Sequence, residues 1–258
     1  MYDRYPLGIH PIGGSVYSYR YLAHNLEADL PVYGLQAQGL DGEGEPLTQI
    51  EEMAKSYLDL LQTVQPIGPY RLGGWSLGGL VAFEIAQQLH QQGQEVSQLV
   101  IIDMFAPTAA INSSEIDEVS LITDFARNIG GVVGKEFSVS VAELKQLNPE
   151  EQLQYILAQA TKLGVLPPEI GSEQMRHRLE VFKANFQAMD RYMPHPYLGP
   201  ITFFCADESM KQNQDPSLGW ASFAAGSIIT HNIPGNHYSI IESKILAQKL
   251  RPYLNALL

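Results

Sequence analysis

Gly74-Trp75-Ser76-Leu77-Gly78 lies between a short strand-like run, Tyr70-Arg71-Leu72, and an amphipathic stretch from Leu80 to His90. A serine hydroxyl becomes a useful nucleophile when it is held clear of its neighbours, beside a base and near donors for an oxyanion. A sharp strand-to-helix turn with serine at its tip does this. Glycines two before and two after the serine remove the side chains that would collide there, and Gly73 and Gly79 widen the clearance. The helix that follows brings partial positive charge to Ser76.

A base and an orienting acid must come from elsewhere. In open parallel sheets, reactive groups gather at the carboxyl ends of the strands. Asp103 ends the strand-like run Gln98 to Ile102, and His237 lies in Pro234-Gly235-Asn236-His237-Tyr238, after the last strand pattern. The order Ser, Asp, His suits a relay in which the acid orients the imidazole and the imidazole deprotonates the serine. Asp207, at the end of Phe203 to Ala206 with Glu208 beside it, is a second candidate acid. One oxyanion donor is expected from the backbone of Leu77, directly after the serine. The other is expected from the loop His10-Pro11-Ile12-Gly13-Gly14-Ser15; Pro11 has no N–H, which leaves Ile12 or Gly13, with Ile12 the choice.

The remaining histidines read as structural. His24 and His90 lie within helices, His177 and His195 in a helical block, and His231 in a strand, while His10 shapes the glycine loop. No histidine pair shows a metal-ligand spacing, so no metal site is expected. The single cysteine, Cys205, sits in an apolar run and reads as a buried, inert thiol in a reducing compartment.

The elements that must position these groups alternate. Strands are expected at Tyr5 to His10, Pro31 to Leu35, the elbow strand at Tyr70, Gln98 to Ile102, Pro200 to Ala206 and Ile228 to Ile233. Helices are expected at Tyr17 to Leu26, Leu47 to Val64, Leu80 to His90 and Ser239 to Leu257. This pattern argues for a mostly parallel, doubly wound α/β sheet. Between residues 104 and 198 the alternation stops, and helices are expected at Val119 to Ile129, Val141 to Leu147, Pro149 to Leu163 and Ser172 to Tyr192. The chain therefore divides into a core of residues 1–103 and 199–258, with a helical lid, 104–198, inserted between. In the last lid helix Phe182, Phe186 and Met189 share a face that could border a substrate channel, and Trp75 could line its mouth.

A chain of 258 residues, 45% hydrophobic and 17% charged, can bury one large core. Sixteen basic against 28 acidic residues, a net charge of −12, argue against nucleic acid or an anionic membrane as partner. No run approaches the roughly 18 apolar residues of a membrane span, and Met-Tyr-Asp-Arg-Tyr-Pro is not a signal peptide, so a cytoplasmic protein is expected. The oligomeric state is not legible.

His10-Pro11-Ile12-Gly13-Gly14-Ser15, Pro31-Val32-Tyr33-Gly34-Leu35-Gln36, Gly68 to Gly79, Ala82-Phe83-Glu84, Leu99 to Asp103 and Gly235-Asn236-His237 together resemble the chain-releasing thioesterase domains of nonribosomal peptide, polyketide and fatty acid synthases. The resemblance implies the α/β-hydrolase fold, a triad of Ser76, Asp103 and His237, and oxyanion donors at Ile12 and Leu77. It also decides between the acids in favour of Asp103. It implies no bound cofactor; the substrate is an acyl or peptidyl chain delivered on the phosphopantetheine of an upstream carrier domain, then released by hydrolysis or cyclisation. Because Met1 stands just before the first motif, the chain is expected to be a piece of a longer synthase. A free-standing editing thioesterase, which would lean on Asp207, and a generic serine esterase are the alternatives. Leu72 to Leu77 also resembles the attachment site of a peptidyl carrier protein, but such modules are small helical bundles.

Overall fold

Apolar, β-branched and aromatic runs too short for helices form the strands β1 (Leu7–Ile9), β2 (Tyr33–Leu35), β3 (Tyr70–Trp75), β4 (Val96–Ile102), β5 (Ile201–Ala206) and β6 (Ile228–Ile233). The computed structural model describes residues 7–26, 32–107, 117–213 and 215–255. The strands join in one sheet of order β2-β1-β3-β4-β5-β6, and every neighbouring pair is parallel.

A parallel sheet needs cover on both faces. The helices are α1 (Arg20–Asn25), α2 (Ile50–Val64), α3 (Leu77–Gln91), α4 (Glu118–Val132), α5 (Val141–Leu144), α6 (Pro149–Lys162), α7 (Ser172–Arg191), α8 (Asp207–Asn213) and α9 (Lys244–Asn255). Side chains along a strand alternate between faces, and the core divides accordingly. Leu99, Ile101, Phe203 and Cys205 pack with Ile50, Tyr57 and Phe83 of α2 and α3. Val100, Ile102, Phe204 and Ala206 pack with Leu22, Leu246 and Leu250 of α1 and α9.

Between β4 and β5, α4 to α7 enclose a separate apolar cluster that includes Ile122, Phe125, Leu153, Ile156, Met175 and Phe182. At the start of α6, Asn148 and Glu151 cap each other's backbone N–H groups, with Pro149 in the first turn.

Local differences from the sequence-based expectation have local causes. The expected closing helix, Ser239 to Leu257, is broken. A 3-10 turn covers Ser239–Glu242, Ser243 is extended (φ −70°, ψ 124°), and α9 then starts afresh. The Ser243 hydroxyl accepts from the Leu246 N–H at 3.4 Å, and a serine that satisfies a helix start locally favours a break over continuity. The expected helix Tyr17 to Leu26 likewise begins as a 3-10 turn, Val16–Tyr19, capped by Ser15. Asp207 opens α8 rather than a loop. Residues 5, 6, 31, 256 and 257, also expected within elements, lie outside the described residues.

From β1 the chain turns outward to β2, then returns to build β3 to β6 on β1's other side. The strand order therefore reverses between β1 and β3, the switch point where the carboxyl ends of an open sheet leave a crevice. One hydroxyl spans this junction. Tyr19 Oη donates to the Ile9 carbonyl at 2.6 Å and accepts from the Trp75 N–H at 2.7 Å. It thus ties the last residue of β1 to the residue before Ser76.

Candidate active site

β3 ends at Trp75 and α3 begins at Leu77, so a single residue makes the turn. Ser76 has φ 58° and ψ −135°, a conformation that costs a non-glycine residue on the order of 1–3 kcal/mol. Two backbone bonds hold it there: Ser76 N–H to the Ile102 carbonyl at 2.9 Å, and Gly79 N–H to the Ser76 carbonyl at 2.8 Å. The flanking glycines are obligatory. A β-carbon at Gly74 would lie 2.0 Å from the Gly78 carbonyl group, and one at Gly78 would lie 2.1 Å from the Ile9 carbonyl oxygen.

Asp103 follows β4 directly and also has a positive φ, 48°. Its N–H donates to the Phe204 carbonyl at 2.7 Å, which turns the side chain inward. The residue is 1% exposed. Its Oδ1 accepts from the Ala206 N–H at 2.8 Å, and its Oδ2 accepts from the Ser209 hydroxyl at 2.9 Å and from His237 Nδ1–H at 2.8 Å. A carboxylate that only accepts fixes the proton of His237 on Nδ1, so Nε2 is left to accept. Nε2 lies 3.1 Å from Ser76 Oγ.

The His237 loop is braced from both sides. Asn236 Oδ1 accepts from the N–H groups of Tyr238 and Ser239 at 3.0 and 2.9 Å. Trp75 Nε1–H donates to the His237 carbonyl at 2.9 Å, and the two rings lie 5.2 Å apart. Asp207, the rival acid, lies in the first turn of α8, and the acid bonded to His237 is Asp103.

The glycine loop stands against the same rim. A β-carbon at Gly78 would be 3.0 Å from the His10 carbonyl oxygen, so the loop leaves β1 in contact with the first turn of α3. Gly14 N–H closes a turn onto the Pro11 carbonyl at 2.8 Å. Leu77 is the first residue of α3, where backbone N–H groups have no intrahelical acceptor. The Ile12 carbonyl accepts from Asn185 Nδ2 of α7 at 2.8 Å. The helical block sits directly on this loop: a β-carbon at Gly13 would meet Asn128 Oδ1 at 2.8 Å, and one at Gly14 would meet Val181 at 2.6 Å.

Two of the expected channel residues are buried. Trp75 is 1% exposed and packs on the α9 side of the sheet, bracing His237. Phe182 is 2% exposed, with its ring 5.4 Å from Phe125 inside the helical block. Apolar helical spacing alone does not say which neighbour a face meets. Phe186 and Met189 are half-buried, and Met189 reaches the core beneath the block.

His231 stacks on Phe204 at 5.0 Å and bonds Tyr253 Oη at 2.6 Å. His177 packs on Gly42. Burial pushes the Cys205 thiol up to about 12, so it stays protonated and unreactive. Among the described residues no group of three His, Cys, Asp or Glu is placed to hold a metal ion, and no helix is long and apolar enough to cross a membrane.

His10 is fully buried, and desolvation depresses its pKa to about 4 from the ordinary 6.5. Between those values the unfolded chain binds a proton that the folded chain refuses, so stability falls as pH drops from 6.5 towards 4. The expected loss is on the order of 3 kcal/mol. Urea unfolding at pH 7 and at pH 4.5 checks this, and a His10→Gln variant should show a correspondingly smaller drop.

Sequence reasoning did not single out Tyr19, Tyr57, Asn185 or Ser209 as part of the site's framework. Each acts on a backbone atom or on another side chain at a strand end, and nothing in its own spacing marks it.

The family profile of the thioesterase domain matches residues 7–253. The chain is 28% identical over 254 residues to chondramide synthase of Chondromyces crocatus, covering 92% of this chain and 6% of that protein. It is 30% identical over 250 residues to a dimodular nonribosomal peptide synthase of Bacillus subtilis, covering 95% of this chain and 10% of that protein. The chain thus spans a tenth or less of the length of these relatives. Among solved structures, a holo four-domain nonribosomal peptide synthetase bound to AMP and glycine matches with a TM-score of 0.89 and 33% identity, over 95% of this chain and 19% of that one.

Proposed function

The chain belongs to the thioesterase domain family, and on that premise we propose that Ser76, His237 and Asp103 are its catalytic triad, releasing an acyl, peptidyl or polyketide chain from a carrier's phosphopantetheine. The observation that carries this reading is a single imidazole bonded at 2.8 Å to a buried carboxylate and lying 3.1 Å from the hydroxyl at a strained turn.

The chemistry runs in two halves. His237 Nε2 takes the Ser76 hydroxyl proton as Oγ attacks the thioester carbonyl carbon. The C=O electron pair moves to oxygen, and the N–H groups of Ile12 and Leu77 stabilise the resulting oxyanion. On collapse the C–S bond breaks, and the thiolate leaves as thiol with the proton from His237. In the second half His237 accepts a proton from water, or from a hydroxyl or amine of the bound chain, as that nucleophile attacks the ester. Collapse returns the proton to Ser76 and frees an acid or a cyclic product. Asp103 stabilises the imidazolium each time it forms.

In this reading residues 104–198 act as a lid, with Phe186 the channel-facing member of α7. An upstream carrier domain in the cytoplasm delivers the substrate, and the domain itself uses no bound cofactor. The bond from Asp103 to His237 favours a chain-releasing domain over an editing enzyme that would use Asp207.

A comparison of acyl-loaded carrier protein with a soluble short-chain oxygen ester tests the substrate class. kcat/KM is expected to favour the carrier thioester by at least about tenfold, roughly 1.4 kcal/mol of differential transition-state binding. Faster turnover of the free ester would make the chain a generic esterase.

A further inference from the structure

His10 takes no part in the proposed proton transfers, yet both of its ring nitrogens are engaged. Nδ1 lies 2.9 Å from the Pro11 carbonyl oxygen, which can only accept, so Nδ1 carries the proton. Nε2, the remaining acceptor, lies 2.7 Å from Tyr57 Oη, which therefore donates. The two rings meet edge to face at 5.7 Å. Tyr57 comes from α2 and is buried in the core.

The Pro11 carbonyl also accepts from the Gly14 N–H at 2.8 Å, so two donors converge on one oxygen. That oxygen belongs to the Pro11–Ile12 peptide, whose N–H is the proposed oxyanion donor. Two bonds to the carbonyl fix the plane of this rigid unit and hence the direction of its N–H. They also draw electron density through the amide and polarise the N–H, and Tyr57 strengthens this by polarising the imidazole in turn. A histidine that only filled space would need neither a fixed tautomer nor a hydroxyl behind it.

We infer that Tyr57 and His10 form a positioning relay that orients and polarises the Pro11–Ile12 peptide, setting the strength of one oxyanion donor. The inference rests on the proposed thioesterase reading, and it concerns groups that touch neither substrate nor triad.

The test uses His10→Leu, His10→Asn and Tyr57→Phe, with circular dichroism to confirm folding. Asn keeps an N–H donor close to the Nδ1 position, and Phe keeps the ring volume of Tyr57. Turnover of an acyl N-acetylcysteamine thioester is measured beside inhibition by an alkyl trifluoromethyl ketone, whose hemiketal oxygen occupies the oxyanion position. His10→Leu is expected to lower kcat about 100-fold with KM held within about twofold, and to weaken the ketone by the same factor. His10→Asn should recover about tenfold of that loss, and Tyr57→Phe should lower kcat about threefold. If His10→Leu does not fold, the other two variants decide. Unchanged kcat in the folded variants, or lost kcat with undiminished ketone binding, would overturn the relay. Failure of the wild-type protein to turn over the thioester would instead sink the thioesterase reading itself.

Discussion

Ser76→Ala is expected to lower kcat for thioester release by about a million-fold, with no loss of thermal stability. The size of the effect follows from the unit to which the serine belongs. Without Oγ there is no acyl-enzyme, and neither His237 nor the oxyanion donors have a nucleophile to serve. What survives is the roughly 10³- to 10⁴-fold advantage over water that binding and oxyanion stabilisation retain by themselves. Stability should hold because alanine keeps the β-carbon, and with it the strain at φ 58°. The backbone bonds to Ile102 and Gly79 involve only main-chain atoms. Steady-state turnover alongside thermal unfolding checks both halves of this expectation.

Asp103→Asn is expected to cost about 10⁴ in kcat, and Asp207→Asn to change it less than about twofold. The Asp103 carboxylate accepts from Ala206 N–H, the Ser209 hydroxyl and His237 Nδ1–H. An asparagine offers one oxygen in place of two. If that oxygen keeps the Ala206 N–H, the NH₂ faces His237 and demands an unprotonated Nδ1. The ring proton then moves to Nε2, which points a donor at Ser76 and removes the base. Asp207 opens α8 and has no corresponding bond to the imidazole. A silent Asp103→Asn together with a crippled Asp207→Asn would reverse the assignment and favour an editing thioesterase.

The parts of the site most legible in the sequence were those with a steric cause. Gly74 and Gly78 stand where β-carbons would fall 2.0 and 2.1 Å from backbone atoms, so the turn writes itself into residue type. Strand and helix alternation followed from burial: cover on both faces makes Leu99 to Ile102 a continuous apolar run, and cover on one face gives Ile50 to Leu58 its apolar helical spacing. The two acids were different. Asp103 and Asp207 both end strand patterns, and what separates them lies in the fold: Asp103 turns inward at φ 48° and bonds His237, whereas Asp207 opens α8. A resemblance to known relatives decided the point; spacing alone did not.

Partners chosen across the fold stayed hidden. Tyr57 lies on the apolar stripe of α2 and reads as packing, yet its hydroxyl donates to His10 Nε2, whose tautomer the Pro11 carbonyl fixes. Asn185 lies on α7, distant in sequence from the Ile12 carbonyl that it holds. Trp75 and Phe182 were open between packing and a channel for the converse reason. Each is apolar and close in sequence to the site or its cover, and in the fold His237 and Tyr238 pack on Trp75 while Phe125 of α4 packs on Phe182. The break at Ser243 rests on one side-chain bond, a preference that competes with helix continuation by about a kcal/mol.

The central claim is that the acyl chain passes through Ser76. The most direct measurement is rapid quenching after mixing with an acyl-loaded carrier, followed by mass spectrometry of the intact protein and of its peptides. The account predicts one added acyl mass on the peptide that contains Ser76, lost in Ser76→Ala. Release of the carrier thiol at the wild-type rate with the acyl group on another residue, or with Ser76→Ala still active, would contradict it.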